Sequence, residues 1–211
     1  MSTFLFTDLA NVVVSASGAN SEYPITNLLD YNTNSRWIGD TAGLNMWIRL
    51  EFPSAIEVTR IVVENHNFDS VMSSGSIQLQ YATDSNFTSG VTTVNTFSLT
   101  NTDISIDDIT SVTKRYWRIY YSGQCADEPF IGNIFLGVPI SLPFEYGWGY
   151  RKDNKEFYTT DIVTLVGQLV GSQPYNGRMV YELNFKMLSD TTKTSFIDFV
   201  SSVRGRLFPF Y

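Results

Sequence analysis

Through most of the first 140 residues, apolar and polar positions alternate with a period of two. The stretch 47–52 sets Trp47, Arg49 and Glu51 on one side and Ile48, Leu50 and Phe52 on the other, as a strand with one buried face does. Residues 56–63 read as the next strand and run into a loop at Glu64-Asn65-His66-Asn67-Phe68. Residues 76–81, 92–99, 115–121 and 133–137 continue the series, after a leading apolar segment at 4–6 and a first strand at 12–17. A short helical turn is expected within 21–29, opened by Pro24, whose missing N–H is not needed there. Between 27 and 37, apolar Leu28, Leu29 and Trp37 bracket Asp30, Asn32, Thr33, Asn34 and Ser35. Such side chains bond back to the local backbone and fold a compact loop. Short, evenly spaced strands without a long helix predict a mainly β protein, a sandwich or jelly roll over residues 1–139.

After Gly137 the pattern changes. Val138-Pro139-Ile140-Ser141-Leu142-Pro143 reads as a stiff link, and residues 147–154 as a loop. Residues 157–170 are rich in Thr, Val, Ile and Leu and favour strand, and Gln173-Pro174-Tyr175-Asn176-Gly177 is a turn. In 178–187, Val180, Glu182, Asn184 and Lys186 face one way, and Met179, Tyr181, Leu183, Phe185 and Met187 the other. A helix is expected over 190–204, capped by Ser189 or Asp190, with Phe196, Ile197, Phe199, Val200 and Val203 as its apolar stripe and Gly205 as its stop. Residues 206–211 are apolar to the last and read as a docked strand. The expectation for 140–211 is a small β-rich domain with one amphipathic helix. Its core is too small for comfortable independence, which favours assembly with neighbours.

Composition narrows the function classes. Of 211 residues 43% are hydrophobic but only 17% charged, with a net charge of -7. No Lys/Arg cluster supplies a nucleic-acid footprint; the best basic group, Lys114-Arg115 with Arg118, alternates with aromatics as a strand face does. Cys125 is the single cysteine, so no internal disulfide forms. No apolar run approaches a membrane span. The N-terminus lacks the basic and long apolar regions of a secretory signal, which leads to the expectation of cytoplasmic synthesis.

The side chains offer little catalytic chemistry. His66 is the single histidine, and a triad or a His-based metal site would depend on it; it reads as a loop residue satisfied by hydrogen bonds. Cys125 lies in a loop-like Gly-Gln-Cys-Ala-Asp run without a cationic neighbour. Asp107-Asp108 and Asp127-Glu128 are adjacent carboxylates, poor acid/base pairs because strand neighbours point to opposite faces, and read as solvated turns. Gly147-x-Gly149 lacks the Lys-Ser/Thr of a phosphate loop. Trp148 and Tyr150 suit sugar stacking or domain packing equally. Asn86-Phe87-Thr88 has the form of a glycosylation sequon, and no more than the form. Enzyme activity is not expected.

Two resemblances add to this reading. Asn27-Leu28-Leu29-Asp30 followed by Ser35-Arg36-Trp37, the Trp-led strand from Trp47, the aromatic strand 115–121 and the closing Ile131-Gly132-Asn133-Ile134 are similar to the discoidin (F5/8 type C, galactose-binding-like) family, over roughly residues 8–137. The resemblance implies a jelly-roll sandwich and a common use in carbohydrate binding. It also implies a possible structural calcium held by Asp30, Asn32 and Ser35 with Asn133 nearby. Asn133 stands where calcium-binding members carry a glutamate, so an anionic ligand is lost. The second part resembles bacteriophage minor tail and baseplate proteins, through Glu182-Leu183-Asn184-Phe185, Leu188-Ser189 and Gly205-Arg206-Leu207-Phe208-Pro209-Phe210, with His66-Asn67-Phe68 in the domain ahead. That resemblance implies a structural role in the virion tail, a homo-oligomeric ring and other tail proteins as partners. Arg178, Phe196, Phe199, Arg206, Phe208 and Phe210 would be the assembly residues. The alternative it leaves open is a lectin-like module for host surface glycans.

Overall fold

The computed structural model describes residues 2–9, 11–30, 32, 34–40, 44–99, 104–142, 151–155, 178–182 and 190–202. Its strands are β1 (Ser2–Phe4), β2 (Val13–Ala16), β3 (Trp37–Ile38), β4 (Trp47–His66), β5 (Ser76–Ala82), β6 (Thr92–Thr96), β7 (Ile104–Ser122), β8 (Phe130–Gly137), β9 (Ile140–Leu142), β10 (Arg151–Lys155) and β11 (Arg178–Glu182). The helices are α1 (Phe68–Val71) and α2 (Asp190–Ser202), with a 3-10 turn at Ile25–Leu29. The described residues fall into two compact units, one over residues 5–139 and one that joins β1 to the chain from Ile140 onward.

In the first unit every pairing is antiparallel, in the order β3-β8-β4-β7-β5-β6, with β2 added on β4. β4 is one long strand that serves both layers. Its first half pairs with β2 and with the end of β7; its second half pairs with β8 and with the start of β7. The register shift between Glu51 and Ile56 marks the bend, and Pro53, which has no N–H to give a ladder, sits inside it. The two halves fold over a shared core. Ile48, Leu50, Phe52, Trp117, Ile119, Tyr121, Ile77 and Leu79 from the front half meet Val58, Ile61, Val63, Ile134 and Leu136 from the back, together with Trp37. This is a mainly β, jelly-roll-like fold, as the alternation predicts.

On the outside of the back half, Leu5 covers Val62 and Phe135 in a small separate cluster. Thr7 fixes this segment, its hydroxyl donating to the Leu136 carbonyl and accepting from the Leu136 N–H. At one end of the sandwich two loops cross at Gly75 and Gly123. A Cβ at Gly75 would stand 1.6 Å from the Ser122 carbonyl oxygen, and the backbone there takes a φ of +93°, which glycine alone adopts freely.

Several expectations are corrected. Asp107 and Asp108 lie within β7, not in turns: Asp108 forms an ion pair with Arg60 on the paired strand and Asp107 accepts from Asn95, partners that offset the poor strand propensity of aspartate. The link after Gly137 contains β9, which pairs with β1, and the expected loop over 147–154 contains β10, which pairs with β11. In both cases long-range pairing overrides local composition. Residues 64–66 extend β4, and Phe68 opens α1 in place of the expected loop. The strand expected at 157–170, the turn at 173–177 and the C-terminal strand at 206–211 lie outside the described residues.

Candidate functional site

The loop 27–37 is held from within. The Asp30 carboxylate accepts from the Asn32 N–H at 2.8 Å, and the Ser35 hydroxyl lies 2.8 Å from both its oxygens, 2.9 Å from the Asn32 carbonyl and 3.4 Å from the Asn27 carbonyl. The Asn27 amide donates to the Arg36 carbonyl at 2.8 Å and closes the base. These oxygens converge on a hydroxyl, not on an open centre. A calcium ion takes about six to eight oxygens, commonly with several carboxylates. Here Asp30 is the carboxylate available, and among the described residues no three His, Cys, Asp or Glu side chains gather as a metal site. Asn133 lies on β8 opposite Glu64, whose carboxyl burial pushes above its ordinary range. Among the described residues of the loop, Asp30, Asn32 and Ser35 are hydrogen-bonded to one another.

His66 is also structural. It is buried; its Nδ1 accepts from the Phe68 N–H at 3.2 Å, so Nε2 carries the proton and donates to the Ser105 hydroxyl 2.9 Å away. Its ring stacks on Phe68 at 4.0 Å. Cys125 is fully buried and burial raises its thiol pKa, the reverse of what a reactive thiolate needs.

The outward face of the front half-sheet carries a different arrangement. The register sets Trp47 opposite Tyr120, Arg49 opposite Arg118, and Gln78 and Gln80 opposite Tyr120 and Arg118. Trp47, Arg49, Arg118 and Tyr120 are each half-buried. The Arg49 guanidinium lies 3.7 Å over the Trp47 ring, and that of Arg118 4.5 Å from the Tyr120 ring centre. Phe87 covers the other side, 5.4 Å from Arg49 and 4.5 Å from Arg118. The two guanidiniums are thus layered between rings, a favourable cation–π geometry for arginine. Gln80 completes the row: its Oε1 accepts from Arg118 Nε at 2.8 Å while its amide donates to Gln78 and Thr93.

Phe87 is brought there by the loop 84–89. The Asp84 carboxylate accepts from the N–H groups of Asn86, Thr88 and Ser89 and from the Thr88 hydroxyl. Phe87 itself takes a φ of 59°, a strained conformation for a bulky residue, costing on the order of 1–3 kcal/mol, that persists where the surroundings over-determine it. The same loop presents the Asn86 carbonyl to Arg49 at 3.0 Å. Slight burial raises the Asp84 pKa, but the hydrogen bonds from Thr88, Ser89 and Asn86 together outweigh it and hold the carboxyl below its ordinary value. A second guanidinium–aromatic contact lies elsewhere, where Arg36 sits between Tyr23 and Phe130 at 5.8 and 4.5 Å.

Sequence reasoning singled out the alternation around Arg118 without seeing this site. The missing information was the register that sets Arg118 beside Arg49, and the loop that lays Phe87 over both. In the second unit, Phe196 and Phe199 share one face of α2, their rings 6.3 Å apart, with Phe199 buried. Arg178 opens β11, and Arg206, Phe208 and Phe210 lie outside the described residues.

The profile of a family described as the F5/8 type C domain matches residues 13–129. No curated protein matches the chain. Among solved structures, the chitosan-binding module 1 of a chitosanase/glucanase from Paenibacillus sp. IK-5 is similar at a TM-score of 0.50 and 21% identity, over 60% of this chain and 94% of that one. The chitosan-binding module 2 of the same enzyme, in complex with chitotriose, is similar at 0.52 and 17%, over 61% and 97%. At these identities the likeness is one of fold.

Proposed function

This chain belongs to the F5/8 type C domain family, and from that premise we propose that it is a non-catalytic carbohydrate-binding module whose saccharide lies on the outward face of the front half-sheet. The observation that carries the reading is the double row of Trp47–Tyr120 and Arg49–Arg118, half-exposed and held rigid by stacking. Saccharide sites combine aromatic surface with a few convergent, pre-positioned polar groups, and this face supplies both on strands rather than on loose loops. The structurally similar modules are named for chitosan binding, and one holds chitotriose, which supports a saccharide as the ligand class. His66 and Cys125 are both buried. The tail-assembly role expected from residues 178–210 draws no support from β10, β11 or α2, nor from the similar structures, and glycan recognition is the better reading.

Affinity electrophoresis of the full chain through gels containing neutral and acidic polysaccharides tests the proposal. At least one polymer should retard the protein, and Trp47→Ala should abolish the retardation while the far-ultraviolet circular dichroism stays unchanged. A folded chain that no polymer retards would overturn the reading.

A further inference from the structure

Charge bookkeeping on the same face points to the class of saccharide. Arg49 and Arg118 stand directly opposite across β4 and β7, and like charges so placed destabilise a sheet. Neither has a carboxylate within ion-pair distance among the described residues, although the chain carries a net charge of -7. Of the carboxylates on this side, Glu51 is paired with Arg115 at 2.8 Å, and Asp84 accepts from the N–H groups of its own loop and acts on Arg49 only from beyond ion-pair distance. The acceptors that do reach the two guanidiniums, the Gln80 amide oxygen and the Asn86 carbonyl, are neutral. Arg49 Nε is buried with no hydrogen-bond partner among the described residues. Ring stacking occupies the guanidinium faces, Arg49 Nε is buried and Arg118 Nε is bonded to Gln80, so the terminal Nη groups are what a ligand can meet, and they match the planar fork of a carboxylate.

We propose, on the premise that the module binds a saccharide, that the saccharide is acidic, with a uronate carboxylate bridging Arg49 and Arg118. The carboxylate would supply the close ion pair that neither arginine has among the described residues. The pair would also repel the amino groups of a chitosan chain, so specificity would part from that of the structurally similar modules. The overall negative charge does not forbid an acidic polymer, because at physiological ionic strength charges more than about 8 Å away are largely screened. Burial lowers the pKa of both guanidiniums; the charge of Asp84 opposes this at Arg49, while at Arg118 Tyr120 opposes it and the charge of Arg49 adds to it.

The test is calorimetric titration of the full chain with oligomers of galacturonate and of glucuronate, each as the free acid and as its methyl ester, with a chitosan oligomer alongside. Free acid should bind about tenfold or more tightly than its ester, as charge-assisted hydrogen bonds are worth more than neutral ones. The preference should shrink with added salt, and chitosan should bind most weakly. Arg118→Gln should erase the preference, weakening the free acid far more than the ester; the wild-type ratio stands on its own should that variant fold poorly. Equal affinity for acid and ester would overturn the acidic class and leave glycan recognition intact. Absence of binding to every saccharide, in these titrations and in the gels, would overturn both.

Discussion

In the loop 27–37, Asp30 takes the Asn32 N–H and the Ser35 hydroxyl; in the loop 84–89, Asp84 takes the N–H groups of Asn86, Thr88 and Ser89. The local chemistry is the same, an aspartate satisfying the backbone that follows it. The consequences differ. The first loop turns Asp30, Asn32 and Ser35 back on one another and delivers Trp37, fully buried, into the core. The second delivers Phe87 to the outside of the sheet, where it helps hold two guanidiniums that have no carboxylate within ion-pair distance among the described residues. A loop rich in side-chain oxygens attracts attention as a ligand cage, yet the loop we propose as part of a ligand site is the one beside two stacked arginines. Self-satisfied polar groups make structure; polar groups held rigid and left unpaired make a site.

The largest effect that separates the two regions is on stability. Trp37→Ala should cost the first unit about 3–5 kcal/mol, because it removes a fully buried indole and leaves a cavity; the measurement is urea denaturation followed by tryptophan fluorescence. A loss below 1 kcal/mol would mean that the loop 27–37 does not anchor the core. Changes to Arg49 or Arg118 act on the other side of the comparison, on ligand affinity.

Paired substitutions of the two aspartates sharpen the contrast. Asp30→Ala should lower stability by about 1 kcal/mol, the worth of an intramolecular hydrogen bond, and leave saccharide affinity unchanged. Asp84→Ala should loosen the clasp on Phe87 and weaken saccharide binding several-fold. The pH dependence follows from the depressed Asp84 pKa. A group whose folded pKa is lowered contributes its stability above its unfolded pKa and loses it as pH falls through the folded one. The amide resonances of Thr88 and Ser89 should therefore titrate with a midpoint below 3.8, the ordinary aspartate value. A midpoint at or above 3.8 would show that the clasp is not formed. Equal binding losses for the two aspartate variants would dissolve the distinction between the loops.

Much of the fold is legible in the sequence because it is written in local patterns. Ile48, Leu50 and Phe52 alternate with Trp47, Arg49 and Glu51, and the strand forms with those faces in and out. Asp30, Asn32 and Ser35 are turn-formers, and they turn. The first half of β7 is not legible, because Ser105, Asp107 and Asp108 are tolerated there only through His66, Asn95 and Arg60, partners that the chain brings from far away. The site is illegible for the same reason. Arg49 and Arg118 become neighbours through a register 69 residues apart in sequence, and Phe87 reaches them through a positive φ that no propensity predicts. β9 and β10 exist because β1 and β11 pair with them.

The central claim is that saccharide binds on the outward face between β4, β5 and β7 and not at the loop 27–37. Nuclear magnetic resonance titration of the isotope-labelled chain with galacturonate oligomers tests it most directly. The account predicts that the largest shift changes fall on Arg49, Gln78, Gln80, Arg118, Tyr120 and the Trp47 indole N–H, with Asn27 to Ser35 unmoved. Shift changes concentrated on Asp30 to Arg36, or around Tyr23 and Phe130, with the arginine face silent, would contradict it.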